Sequence, residues 1–239
     1  MRRAGKLAAR TLQHVGAQLK AGISTGDIDR WVRAFTEAHH ARCSQLGYHG
    51  FPAGVCTSRN EVVCHGIPRD DELLADGDII NVDVTSELNG WHGDTSATFC
   101  IGEPSAEAKH LVETTRRALE VGIAAVRAGA HLGDIGAAIS ELATREGCGV
   151  VTDFGGHGIG REMHLPPHVA HVGRRGHGLL LKEGMTFTIE PMLTLGSPDI
   201  RVLDDEWTVV TADGRWSAQF EHTVFVTRRG AEVLTAATS

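Results

Sequence analysis

Asp83 and Asp94 interrupt two runs, Asn81-Val82-Asp83-Val84 and Asp94-Thr95-Ser96-Ala97-Thr98-Phe99, that otherwise read as β-strands. Strand side chains alternate in direction, so Asp83 faces away from Val82 and Val84. Leu88-Asn89-Gly90 can then turn the chain and bring Asp94 back beside it. Two carboxylates converging among apolar neighbours are unfavourable unless a cation neutralises them. Taken alone, both could equally be turn or edge acids; three further residues favour a metal site. His157 lies in Gly155-Gly156-His157-Gly158-Ile159-Gly160, a run of small residues that lets backbone and side chain approach a bound ion. Glu190 ends the run Thr186-Phe187-Thr188-Ile189 and precedes Pro191, and Glu221 follows Phe220 on what reads as the final strand. A buried acid at either place needs a partner. Four carboxylates and one imidazole form the hard, oxygen-rich donor set that holds two divalent ions and supports metal-assisted hydrolysis. The four negative ligands offset two doubly positive ions and leave capacity for a bound hydroxide.

The elements that must position these groups follow from periodicity. Leu7, Ala8, Leu12, Val15 and Leu19 share one helical face, with Gly22 as a stop. Ser24 or Thr25 caps a second helix in which Ile28, Trp31, Val32 and Phe35 recur, up to a solvated end at His39-His40. Val55-Cys56-Thr57 and Glu61 to His65 read as short strands inside a glycine- and proline-rich segment suited to face a substrate. After the Asn81 hairpin, Pro104-Ser105 opens a third helix with Leu111, Thr115, Leu119 and Val126 inward. A fourth runs from about Leu132 through Ile135, Ile139 and Leu142 to Gly147. Strand-like runs return at Thr186 to Glu190, Trp207 to Val210 and Phe220 to Val226. Both halves thus go from helices to strands, and each leads a strand with an acid after a turn at Asn89-Gly90 or Asp213-Gly214. This weak duplication places a site where the halves meet. No linker divides residues 1–239, so the chain reads as a single domain.

Composition narrows the function classes. A length of 239 residues, 41% hydrophobic and 22% charged, can bury one large core, and no apolar run is long enough to span a membrane. A net charge of -7 argues against a nucleic-acid surface. The five cysteines are odd in number and contain no CxxC pair, which argues against a disulfide framework or zinc knuckle. The first 26 residues are basic and contain no acid, as in some transit peptides, but their helical face reads better as the first helix of the domain. A secretory signal core is absent, so a reducing, cytoplasmic setting is expected.

The motifs GYHGFP (Gly47 to Pro52), NEVVCHGIP (Asn60 to Pro68), NVDV with GDTSATF, GGHGIG with His164, TIEPM (Thr188 to Met192), and DEWTVVTADG with SAQFEHT occur in this order. In them the chain resembles the type I methionine aminopeptidases, of the fold shared with prolidase and creatinase, over essentially its whole length. The resemblance implies an α+β, pseudo-two-fold "pita-bread" fold: a curved antiparallel sheet with helices on its outer face. It implies that Asp83 chelates one metal, that Asp94 and Glu221 bridge both, and that His157 and Glu190 complete the second. Glu190 would take a proton from the attacking water, His164 would steady the oxyanion, and His65 would contact the scissile amide nitrogen. Tyr48, Phe51, Cys56, Met163 and Trp207, with His65 and His164, would enclose substrate; aromatic and sulfur groups suit a thioether.

The implied activity is removal of the initiator methionine from peptides and nascent chains, including those at the ribosome, whose second residue is small. The enzyme would be a cytoplasmic monomer with two divalent ions, and Co, Mn, Fe and Zn all accept this donor set. A same-fold dipeptidase or proline-specific peptidase is the alternative enzyme; a binding relative that has lost catalysis is the other, though such proteins lose metal ligands. The chain departs from the family pattern at Gln45, where a small residue is common, at Met163, where Phe is usual, and at Leu165-Pro166, which replaces an acidic pair. His164, His168 and His171 mimic a zinc motif, but Pro166-Pro167 breaks the helix which that spacing requires.

Overall fold

The structure, a computed structural model, describes residues 1–236. Helix α1 (Arg2–Gly16) forms where Leu7, Ala8, Leu12 and Val15 share a buried face. It ends well before Gly22, and Leu19 packs from the connecting turn. Helix α2 (Thr25–Ala38) starts at a reciprocal capping box: the Ser24 hydroxyl accepts from Asp27 N–H and the Asp27 carboxylate from Ser24 N–H, at 3.0 and 2.9 Å. Phe35 does not join the core. It is half-buried, with ring centroids 4.6 Å from His14 and 4.3 Å from His39.

Strands β1 (Arg42–Cys43), β2 (Cys56–Arg59) and β3 (Val62–Cys64) precede the long hairpin of β4 (Ile79–Glu87) and β5 (His92–Cys100). Helices α3 (Ala106–Ala124) and α4 (Leu132–Arg145) follow; Val126 lies beyond α3 yet is still buried. The second half contains β6 (Gly149–Val150), β7 (Gly156–Gly158), β8 (Leu165–Val169), β9 (Thr186–Ile189), β10 (Met192–Thr194), β11 (Ile200–Val202), β12 (Val209–Thr211), β13 (Ser217–Gln219), β14 (Glu221–Val226) and β15 (Ala231–Val233). Two strand expectations change. Trp207 and Thr208 belong to a turn, because the Asp205 carboxylate accepts both of their backbone N–H groups and the Thr208 hydroxyl, so the strand starts at Val209. The strand carrying Glu221 is not the last; β15 folds back against it.

The main sheet has nine strands in the order β1-β4-β5-β14-β9-β7-β8, with β2 also against β4 and β15 against β14, all antiparallel. The fold is therefore α+β, a curved antiparallel sheet with four helices. Hairpin β4–β5 meets the β9–β14 pair at its centre, where Glu221 stands opposite Ser96 and His222 opposite Thr95. One apolar cluster lies under α1 and α2, with Ile28, Val32, Ile80 and Val84, and a larger one under α3 and α4, with Leu111, Ile139, Phe187 and Val224. Each such side chain, fully buried, contributes about 1.5–3 kcal/mol. No helix among the described residues is long and apolar enough to cross a membrane.

Candidate metal centre and active site

Register brings the acids to one face. On β4 and β5, Asp83 pairs with Ser96 and Thr85 with Asp94, and on β14 Glu221 pairs with the same Ser96. Opposed residues, and residues two apart along a strand, share a face of the sheet. Asp83, Asp94 and Glu221 therefore project from the same side of three adjacent strands. Hydroxyls close the seam between the halves: Thr223 accepts from Asp94 N–H and donates to its carbonyl at 3.0 and 2.8 Å, and Thr95 donates to the Glu221 carbonyl at 2.8 Å. Glu190 follows Ile189, which stands opposite His222, so it emerges beside Glu221.

His157 arrives from β7. Its backbone N–H donates to the Thr188 hydroxyl at 2.9 Å, and that hydroxyl donates to Glu190 Oε1 at 2.7 Å. The glycines around His157 have a reason other than room for an ion. A Cβ on Gly156 would lie 2.1 Å from the Thr188 carbonyl oxygen, and one on Gly158 2.2 Å from that of Pro166, so they let β7 fit between its neighbouring strands.

One ligand atom each from Asp94, His157 and Glu221 lies within 4.8 Å of the others. His157 Nε2 is 3.7 Å from both Asp94 Oδ2 and Glu190 Oε1. These spacings are too long for hydrogen bonds, but donors that each lie about 2.1 Å from a shared ion are roughly 3–4 Å apart. Burial pushes the Glu190 carboxyl up to about 8, against the pull of the Thr188 hydrogen bond. Burial also raises Asp83, Asp94 and Glu221, and the neighbouring carboxylates add to the effect at Asp83 and Glu221. Burial lowers His157, His164 and His65 to about 4, so all three are neutral at pH 7. Glu221 Oε1 is buried with no hydrogen-bond partner among the described residues. Crowded carboxyls, an orphaned oxygen and a neutral imidazole fit a divalent cation.

Every residue put forward from the sequence lines one cavity of about 350 Å³. Phe51 and Trp207 meet edge to face at 5.1 Å, and His65 lies edge-on to Phe154 and Trp207 at 5.4 and 6.4 Å. Cys56 and Met163 are buried in the wall. Tyr48 and His164 join through hydroxyl and Nδ1 at 2.8 Å, and the His164 ring lies 4.2 Å from that of His157. The apparent zinc motif dissolves. Leu165–Val169 is a strand, His168 pairs with His157 across β7 and β8, and His171 is buried, its Nε2 accepting the Glu190 N–H at 3.2 Å.

Sequence reasoning gave no role to Thr85, Thr188 or Gln219. Thr85 donates to Asp94 Oδ1 at 2.7 Å, and Gln219 Nε2 lies 3.4 Å from Glu190 Oε2. The available signal was position: Thr85 and Thr188 each stand two residues from an acid along a strand, on its face, and Gln219 stands two before Glu221.

The model of Metallopeptidase family M24 matches residues 1–228. The chain is 50% identical to "Methionine aminopeptidase A" of Synechocystis, an alignment covering 98% of this chain and 93% of that protein. It is 48% identical to "Methionine aminopeptidase" of Escherichia coli K12, covering 98% and 89%. A crystal structure of methionine aminopeptidase from Rickettsia prowazekii superposes with a TM-score of 0.97 at 47% identity, covering 98% of this chain and 95% of that one.

Proposed function

From the premise that the chain belongs to metallopeptidase family M24, we propose that it is a metal-dependent methionine aminopeptidase acting on peptides whose second residue is small. The observation that carries this reading is the buried carboxylate set with the unpaired Glu221 Oε1, set against an aromatic and sulfur wall. Asp83, Asp94, His157, Glu190 and Glu221 would hold two divalent ions. Bound there, the ions would lower the pKa of water and polarise the scissile carbonyl.

The chain's own groups supply the rest. Glu190, held at Oε1 by the Thr188 hydroxyl, is the base that takes the proton of the attacking water and passes it to the departing amine. The Tyr48 hydroxyl and His164 Nδ1 lie 2.8 Å apart, and in the tautomer in which Tyr48 is the donor the single proton of this neutral ring stands on Nε2, where it can be donated to the oxyanion. His65 contacts the scissile nitrogen. Phe51, Trp207, Cys56, Met163 and Tyr48 enclose the methionine side chain, whose thioether packs well against rings and sulfur.

We place the reaction in the cytoplasm, on nascent chains, and read residues 1–239 as one monomeric catalytic domain. All five cysteines are free thiols, as suits a reducing compartment. Parallel assays on Met-Ala-Ser, Met-Leu-Ser and Leu-Ala-Ser test the specificity. Met-Ala-Ser should be cleaved fastest by at least tenfold; equal turnover of all three would overturn it, and preference for a dipeptide or an Xaa-Pro peptide would favour the same-fold alternative.

A further inference from the structure

Gln45 is buried, at 6% exposed, on the loop after β1, and it lines the cavity beside Asp83. Along one edge of β4 the neighbouring strand changes. β1 covers Glu87 and Ser86, and Ser44 N–H reaches the Thr85 carbonyl at 2.9 Å; β2 takes over from Asp83 to Ile80. Between these two strands the Thr85 N–H and the Asp83 carbonyl face the gap. The Gln45 carboxamide spans it: Oε1 accepts from Thr85 N–H at 3.2 Å, and Nε2 donates to the Asp83 carbonyl at 2.9 Å. A side-chain amide thus takes the place of a peptide group in the ladder, which a strand edge inside a cavity requires. The second Nε2 hydrogen faces Asp83 Oδ1 at 3.5 Å, the outer limit of a hydrogen bond. The clamp reaches further still. Thr85, held by its N–H, donates its hydroxyl to Asp94 Oδ1 at 2.7 Å.

We infer that Gln45 is a positioning residue for the metal centre, its carboxamide fixing the Asp83–Thr85 backbone and thereby the carboxylates of Asp83 and Asp94. The inference rests on the reading of Asp83 as a metal ligand. Groups that orient ligands in this way change metal affinity by about 10- to 100-fold when removed. Without the carboxamide, Thr85 N–H loses this acceptor and the Asp83 carbonyl loses this donor.

Calorimetric titration of the metal-free protein with Mn²⁺ tests this, comparing wild type with Gln45→Met, Gln45→Ala and Asp83→Asn. Gln45→Met keeps the side-chain volume, so it guards against collapse of the site. Both Gln45 variants should bind the tighter Mn²⁺ about 10- to 100-fold more weakly, and Asp83→Asn should bind it at least as weakly. Wild-type affinity in both Gln45 variants, with binding lost in Asp83→Asn, would overturn the clamp and leave the ligand assignment standing. A lowered melting temperature with unchanged affinity would also overturn it, as scaffolding alone. Wild-type affinity in Asp83→Asn would instead overturn the ligand assignment beneath it.

Discussion

Replacing His164 by alanine is expected to lower kcat for Met-Ala-Ser by roughly 10²- to 10³-fold while bound metal stays at the wild-type level, the size of one lost oxyanion donor. The motive is its place in the site: His164 lines the cavity, is hydrogen-bonded through Nδ1 to Tyr48, and lies outside the cluster of Asp94, His157 and Glu221. KM should change less than kcat, because the interaction forms mainly in the transition state. His157→Ala should behave differently. Its Nε2 sits 3.7 Å from two carboxylate oxygens, so its removal should lower metal content itself. Metal analysis of both variants beside their kinetics separates the roles. Equal metal loss in both, or wild-type turnover in His164→Ala, would contradict the division.

Stripping the metal should lower the melting temperature by about 5–10 °C at neutral pH, from a bound-state stabilisation of about 2.7 kcal/mol at a hundredfold excess over Kd. The gap should also depend on pH. Glu190 is raised from 4.5 to about 8 in the fold, so its protonated form contributes stability that is fully present below 4.5 and lost as pH rises toward 8. His157, His164 and His65 are lowered from 6.5 to about 4, so their contribution is present above 6.5 and lost as pH falls toward 4. The two trends oppose each other between 4.5 and 6.5. From 6.5 to 8 only the carboxyl trend remains, and metal-free protein should melt lower as pH rises through that window. Metal-loaded protein keeps its carboxylates ionised and lacks that trend, so the gap should widen. Asp94→Asn, which removes one charge, should narrow it. Coincident melts of the two forms, or a gap that shrinks toward pH 8, would count against a cation at this site.

Much of this site was legible because strand alternation is simple. Asp83 and Asp94 stand in strand-like runs on either side of Asn89-Gly90, a spacing that allows one hairpin with both acids on one face, as β4 and β5 display. The helices followed from their apolar faces and caps, Ser24 and Ser105 above all. The residues around the acids were less legible. The sequence does not record that β1 and β2 abut along β4, so nothing in Gln45 itself announced that its amide bridges that break. His171 resembled a zinc ligand by spacing, and only the fold shows its Nε2 taken by the Glu190 N–H. The start of the strand at Val209 was read two residues too early, because the turn chemistry of Asp205 outweighs the strand propensity of Trp207 and Thr208. A second reason for the glycines flanking His157, crowding by adjacent backbone, is invisible in a linear run.

Catalysis at this carboxylate set requires metal-dependent turnover. The decisive measurement is Met-Ala-Ser cleavage by chelator-stripped protein titrated with Mn²⁺ or Co²⁺, with bound metal counted in the same samples. Turnover should be absent before metal is added, rise with occupancy, and fail to rise in Asp94→Asn, which removes one carboxylate of the cluster with His157 and Glu221. Full activity in excess chelator, or wild-type reactivation of Asp94→Asn, would contradict the account.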